Sequence, residues 1–363
     1  MPSPEDLAEL AKSCTRFLNG NGARTPAEML AEIPPDTQAD RYGEDGVVSE
    51  LEERVARLLG KQAAVFLPSG TMAQQSTLRV HAERTGRTGV VFHPACHLDW
   101  RESRGYQVLH GLHGIQAGEW TRQLERGDLD QVSEEPAALL IELPQRNLGG
   151  QLPEWDELEA LCAWAKERGA ATHMDGARLW EAQPYYGREL SEIAGLFDSV
   201  YVSFYKGLGA LAGCCVAGEL SLVKEVAEWR RRHGGTMYSM WPNAASAMAG
   251  LDRRLGHMTE LFEHAKQIAL ALGAHEKVRV LPGVPQAPLM HLFIEATREE
   301  FEERFCRLAT DEQICTWPRA WPGTELPGFQ RVEFTIGQAT LGFSPAEATR
   351  VIGVMAGDDG QVS

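Results

Sequence analysis

A chain of 363 residues with 43% hydrophobic side chains is long enough to bury one large core and a smaller one. Its net charge of −16, from 35 basic against 51 acidic residues, argues against nucleic acid or an anionic membrane as a partner, because both require a basic face; a small molecule is the expected ligand. No apolar run approaches a membrane span, the start Met1-Pro2-Ser3-Pro4-Glu5-Asp6 is acidic where a signal peptide would be basic, and the seven cysteines are scattered and odd in number, so a cytoplasmic protein with reduced thiols is expected.

In chain order, residues 1–45 show little helical periodicity beyond Leu7, Leu10 and Ala11 and carry Asn19-Gly20-Asn21-Gly22 and Pro34-Pro35, which reads as an N-terminal arm. From Ser49 the signals sharpen. Ser49 and Glu52 stand at capping-box spacing, and Leu51, Val55, Leu58 and Leu59 form an apolar stripe ended by Gly60, which predicts a helix. Residues 63–67 are a short apolar run that Pro68-Ser69-Gly70-Thr71 turns into another helix. Backbone amides and a hydroxyl at a helix N-terminus attract phosphate, so Gly70 and Thr71 are candidate phosphate contacts, with an ordinary cap as the alternative. Residues 89–92 and 106–109 read as strands flanking His93, His97 and Glu102. Together with His110 and His113 these imidazoles invite a metal reading, although histidines at such spacings are a weak zinc signal.

Residues 137–141 are a buried-type strand that leads into Glu142-Leu143-Pro144-Gln145-Arg146-Asn147. Trp155, Leu158, Leu161 and Ala165 mark a helix, and residues 170–174 a strand with Asp175 at its end and Arg178 just beyond. The β-branched and aromatic run 199–203 predicts a further strand, after which Lys206 is followed by Gly207 and Gly209, which let a bulky ligand approach the backbone. A strand at 213–217 and a helix over Leu220, Val223, Val226 and Ala227 continue the alternation. Such alternation means a mostly parallel sheet with helices on both faces, and ligands bind such sheets at the carboxyl ends of strands, where Asp175 and Lys206 fall. From Leu251 a long helix through Ile268 is expected, then a strand at 289–294, capping boxes at Thr297 with Glu300 and Ser344 with Glu347, and a strand holding Arg331-Val332-Glu333-Phe334. The expected organisation is an arm over 1–45, a large α/β domain over 46–250 and a smaller C-terminal α+β domain over 251–363.

Pyridoxal 5'-phosphate requires a lysine for covalent attachment, an acid at the ring nitrogen and anchors for its phosphate. Lys206, Asp175 and the Gly70-Thr71 turn supply these in order, and Arg178 would face the phenolic oxygen. Four blocks carry a resemblance: Tyr42-Gly43-Glu44-Asp45, Leu67-Pro68-Ser69-Gly70-Thr71-Met72-Ala73, His173-Met174-Asp175-Gly176-Ala177-Arg178-Leu179-Trp180 and Lys206-Gly207-Leu208-Gly209-Ala210. In this order they resemble the threonine aldolase and β-eliminating lyase family of fold-type-I pyridoxal phosphate enzymes.

The resemblance implies a lyase that cleaves a β-hydroxy-α-amino acid to glycine and an aldehyde, with β-elimination on a β-substituted amino acid as the alternative. It places His97 on the cofactor ring with Glu102 as its acid, Arg231 as a basic phosphate contact reaching a neighbouring subunit, and Arg331 with Arg178 on the substrate. A homodimer or homotetramer follows from Arg231. Three residues depart from the family pattern. Gln145 stands where a histidine implicated in handling the substrate hydroxyl proton is usual, Tyr205 replaces a serine before the lysine, and Tyr238 replaces an arginine. Gln145 cannot act as a base, and Arg146 beside it compensates for charge but not for proton transfer. A metal-dependent hydrolase built on the histidines and a binding protein with a retired site are the rival readings.

Overall fold

The computed structural model describes residues 3–322 and 326–358. The chain forms two units, Thr25–Gly256 and a second one that joins the residues up to Arg24 with those from His257 onward. The expected arm therefore divides, its first part belonging with the C-terminal unit and residues 25–45 with the large one.

The large unit is organised by a seven-stranded sheet of β1 (Ala63–Leu67), β2 (Gly89–Phe92), β3 (His113–Gln116), β4 (Ala138–Glu142), β5 (Ala171–Gly176), β6 (Ser199–Ser203) and β7 (Cys214–Gly218). The strand order is β1-β7-β6-β5-β4-β2-β3, and β7 runs antiparallel to both neighbours while the other pairs are parallel. Strands β4, β6 and β7 are buried along their whole length, which requires cover on both faces and explains their lack of polar alternation. The principal helices are α1 (Gly46–Leu58), α2 (Gly70–Thr85), α3 (Trp155–Glu167), α4 (Leu179–Tyr186), α5 (Leu220–Arg232) and α6 (Trp241–Arg254).

Three local expectations are corrected. Helix α1 starts at Gly46, so Ser49 lies inside it instead of capping it. Glu52 turns to accept the Phe66 amide of β1 at 2.7 Å, and burial raises its pKa to about 7. Residues 106–109 are not a strand but the end of a short helix, Gly105–Val108. Only Tyr106 of that run is buried, with its hydroxyl on Asp99 at 2.9 Å, whereas Val108 and Leu109 face solvent, and the edge of the sheet is taken by β3. The long helix expected from Leu251 is interrupted by a 3₁₀ turn, Leu255–His257, where Gly256 weakens helical continuity.

The smaller unit contains a three-stranded antiparallel sheet of β8 (Val278–Leu281), β9 (Leu289–Glu295) and β10 (Phe329–Thr335), with β9 in the centre. Around it stand α7 (Met258–Leu272), α8 (Arg298–Asp311) and α9 (Pro345–Ala356). Thr297 and Glu300 form the expected reciprocal box, and Ser344 caps α9 by accepting the Glu347 amide. The N-terminal residues join this unit by strand pairing, Arg16–Phe17 lying parallel to Ile314–Cys315. Among the described residues no helix is long and apolar enough to cross a membrane.

Helix α2 packs on the sheet through a polar chain. His81 Nε2 lies 2.7 Å from Ser199 Oγ, which also lies 2.8 Å from His173 Nδ1, and His173 Nε2 reaches Gln74 Oε1 at 2.6 Å. The chain ties α2 to β5 and β6 and so fixes the helix whose N-terminus follows β1. Burial holds both imidazoles neutral, with pKa values pushed down to about 4 for His81 and about 3 for His173. Neutral histidine is thus favoured in the folded state, and the stability it contributes is fully present above the unfolded value near 6.5 and is lost as pH falls toward 4. At about pH 5.5 the loss amounts to about 1.4 kcal/mol for each histidine. Thermal melts between pH 7 and 5 should show a falling midpoint, and the paired substitutions His81→Gln and His173→Gln should flatten that slope even where they lower stability overall.

Candidate active site

The strand ends dictate what meets here. Asp175 is the penultimate residue of β5, and its Oδ1 accepts the Ala177 amide at 3.1 Å, which turns the chain toward Arg178 and α4. Lys206 follows the neighbouring strand β6, three residues past its end. Helix α2 begins at Gly70 with Ser69 as its cap, Ser69 Oγ accepting the Met72 amide at 3.3 Å. The first helical amides, those of Gly70 and Thr71, have no partner within a helix and are available to an anion. A methyl group on Gly70 would collide with the Tyr201 hydroxyl of β6, so only glycine lets this helix end approach the sheet. One pocket takes in Gly70, Thr71, His97, Asp175, Arg178 and Lys206.

Charge in this pocket is buried and mutually dependent. Burial lowers the Lys206 pKa and Arg178 lowers it further, while Asp175, Glu142 and Glu181 oppose them. Burial raises Asp175, against the pull of Lys206 and His97. For His97 burial disfavours the cation, but the Glu102 hydrogen bond and the charges of Asp175 and Glu142 outweigh it, and the net shift is upward. His97 Nδ1 lies 3.1 Å from Glu102 Oε1, and this contact fixes which edge of the imidazole is turned away from the pocket.

Two expected site residues are not among those lining this pocket. Arg231 lines a separate surface hollow with Lys224, Glu228 and Thr236, and Arg331 belongs to the smaller unit, where its guanidinium stands 5.0 Å from the Trp321 ring centre. Of the three departures, Tyr205 lines the pocket, with its ring centre 5.9 Å from Lys206 Nζ. Tyr238 packs edge-on against Tyr42 at 5.3 Å. Gln145 is buried, with its amide donating to Ala95 O and Glu142 Oε2, both at 3.1 Å, while its neighbours Pro144 and Arg146 line the pocket. The histidines are dispersed onto separate partners: His93 onto Glu119 and Arg122 carbonyls, His110 onto His233, His113 onto Glu134. Among the described residues no group of three or more His, Cys, Asp or Glu is arranged to hold a metal.

Sequence reasoning missed two pocket residues, Glu142 and Tyr201, and Glu181, which stands behind the pocket on the Gly207 amide. Glu142 is directly opposite Asp175 in the β4–β5 register, a relation no local pattern shows. The sequence marks Tyr201 only as a strand former. Glu181 sits in the first turn of α4, where an acid looks like ordinary compensation of the helix dipole.

Comparison with known proteins places this geometry among its relatives. The family model described as "Beta-eliminating lyase" matches residues 24–289. The low specificity L-threonine aldolase of Escherichia coli K12 is 31% identical over 253 residues, covering 68% of this chain and 74% of that protein. The crystal structure of a putative L-allo-threonine aldolase from Listeria monocytogenes superposes with a TM-score of 0.89 at 35% identity, covering 96% of this chain and 98% of that one. A putative aromatic amino acid β-eliminating lyase/threonine aldolase from Exiguobacterium gives 0.90 at 32% identity, with 96% and 99% covered.

Glu142 is the acceptor on which the pocket wall closes. Its Oε2 takes the His97 amide and the Gln145 side chain, each at 3.1 Å, and its Oε1 takes the Arg146 amide at 3.0 Å. Replacing it by leucine leaves three donors without an acceptor, which should cost on the order of 3 kcal/mol. Glu142→Gln, which keeps an acceptor oxygen, should lose about 1 kcal/mol. Urea midpoints of the two variants against the parent check the ranking; equal losses would contradict it.

Proposed function

The chain belongs to the β-eliminating lyase family, and on that premise we propose that it is a pyridoxal 5'-phosphate-dependent lyase that cleaves a β-hydroxy-α-amino acid to glycine and an aldehyde. The observation that carries the reading is the convergence of a half-buried lysine, a buried acid, an imidazole, an arginine and an open helix N-terminus in one pocket. The names of its relatives, threonine aldolases among them, support the same reaction class.

The residues present fit the cofactor. Gly70 and Thr71 open α2 on the wall of the pocket that also holds Lys206 and Asp175, where the first backbone amides of a helix favour an anionic phosphate. When bound, pyridoxal 5'-phosphate supplies an electron sink for charge developing at the substrate α-carbon. Lys206 is the attachment point, and its lowered proton affinity leaves more of its nitrogen neutral and nucleophilic near neutral pH. Asp175 would hold the ring nitrogen, and the amides of Gly70 and Thr71 would hold the phosphate. His97, steadied by Glu102, would cover the ring, and Arg178 would meet the phenolic oxygen and the substrate. Arg331 grips the substrate carboxylate, a task its planar fork performs with two hydrogen bonds. Arg231 contacts the cofactor phosphate of a neighbouring subunit, so the working form is a homodimer or homotetramer. The substrate is a small molecule, an amino acid.

One observation bears on which bond breaks. Retro-aldol cleavage needs the β-hydroxyl proton removed, and a placed base contributes roughly 100- to 10,000-fold in rate. Gln145 supplies no base, and its amide is committed to Ala95 and Glu142. His97, with its raised proton affinity, or water must take that proton. Slow cleavage of plain threonine follows, with preference for a bulkier β-hydroxy amino acid whose side chain meets the space altered by Tyr205 and Tyr238. Incubation with threonine, allo-threonine and aryl-bearing β-hydroxy amino acids, quantifying glycine and aldehyde against ammonia and keto acid, tests this. Fast glycine release from threonine would refute the role given to Gln145; ammonia and keto acid alone would move the reaction to β-elimination.

A further inference from the structure

Glu181 is an expensive residue where it stands. It is 3% exposed, and its Oε1 accepts the Gly207 amide at 3.1 Å and lies 3.8 Å from Arg178 Nε. Its other oxygen, Oε2, is buried and has no hydrogen-bond partner among the described residues. A glutamine would accept the same amide bond without placing a charge in the interior, so the packing contact alone does not account for an acid here. What glutamine would not provide is negative charge, and the residue preceding the bonded amide is Lys206.

We propose that Glu181 is a positioning residue for Lys206: its carboxylate holds the amide that follows the lysine and keeps a negative charge beside the lysine nitrogen. Two elements are joined by this contact, the first turn of α4 and the loop after β6, and Gly207 is required for it, because a side chain there would run into the carboxylate. The other groups facing Lys206 are Arg178 before α4, Asp175 of β5, Glu142 of β4 and the Tyr205 ring. The acids favour a proton on the lysine nitrogen and Arg178 disfavours it. Glu181 also faces Arg178, so it shields the lysine from that cation. Removing its charge therefore makes the nitrogen easier to deprotonate, in the bound cofactor as in the free amine.

The inference rests on the lyase reading, and its test separates the two. In Glu181→Gln loaded with pyridoxal 5'-phosphate, the pH midpoint of the cofactor's visible absorbance should fall by roughly one unit, because a nearby charge is lost in a low-dielectric site while the Gly207 bond is kept. A midpoint within about 0.2 unit of the parent would overturn the proposal. In cofactor-free protein, acylation of Lys206 by an amine-reactive ester at fixed pH, read by peptide mass spectrometry, should be several-fold faster in the variant. Failure of the parent to bind the cofactor would sink the lyase reading, yet the acylation rates still decide the role of Glu181, an unchanged rate counting against it. Should Glu181→Gln not fold by circular dichroism, Gly207→Ala displaces the same carboxylate and is expected to move midpoint and acylation rate in the same directions; unmoved values overturn the proposal.

Discussion

Drawing Lys206 partly out of water is tolerable only because acids are brought in with it, and the carboxyl ends of β4, β5 and β6 are where the chain does so. Asp175 and Glu142 face each other across the β4–β5 register, and Glu181 enters from the first turn of α4. Isolated, each of these charges would cost several kcal/mol to bury. Together with Lys206, Arg178 and His97 they form a set in which each member lowers the cost of another, which explains why burial and Coulomb attraction pull against each other at Asp175 and Lys206. Such a set is poor at adding stability and good at holding side chains in one arrangement.

The sheet is the frame for that set, and its polar anchor lies away from the pocket. The chain from His81 through Ser199 to His173 and Gln74 fixes α2 against β5 and β6, the two strands that carry Asp175 and Lys206. Gly70 then lets the helix start approach Tyr201. Gly70, Thr71 and Asp175 are thus held on helix and sheet, with Lys206 on the short loop that follows β6.

Much of this was legible in the amino-acid sequence, for identifiable reasons. Strands β4, β6 and β7 are short apolar runs bounded by turn residues, and the aspartate lies at the end of β5 with the lysine three residues beyond β6, so adjacency in sequence carried adjacency in space. The failures share a different origin. Residues 106–109 have strand composition, but β3 already occupies the edge of the sheet, and tertiary position overrode propensity. Ser49 and Glu52 have capping spacing, yet Glu52 is more useful to the Phe66 amide, a contact between elements. Glu142 and Glu181 acquire meaning only through strand register and a helix–loop contact, and neither leaves a trace in local pattern. The opposite holds for Ser3 and Asp6, a capping box legible in the sequence on the helix Pro4–Ser13, of which only Leu7 is buried.

The central claim is that this constellation exists to hold a pyridoxal cofactor on Lys206. The most direct measurement is to load the protein with pyridoxal 5'-phosphate, reduce it with borohydride, digest it and locate the modified lysine by mass spectrometry. The account predicts a single tag on the peptide containing Lys206. A tag on any other lysine, or bound cofactor that borohydride leaves unattached, would contradict it.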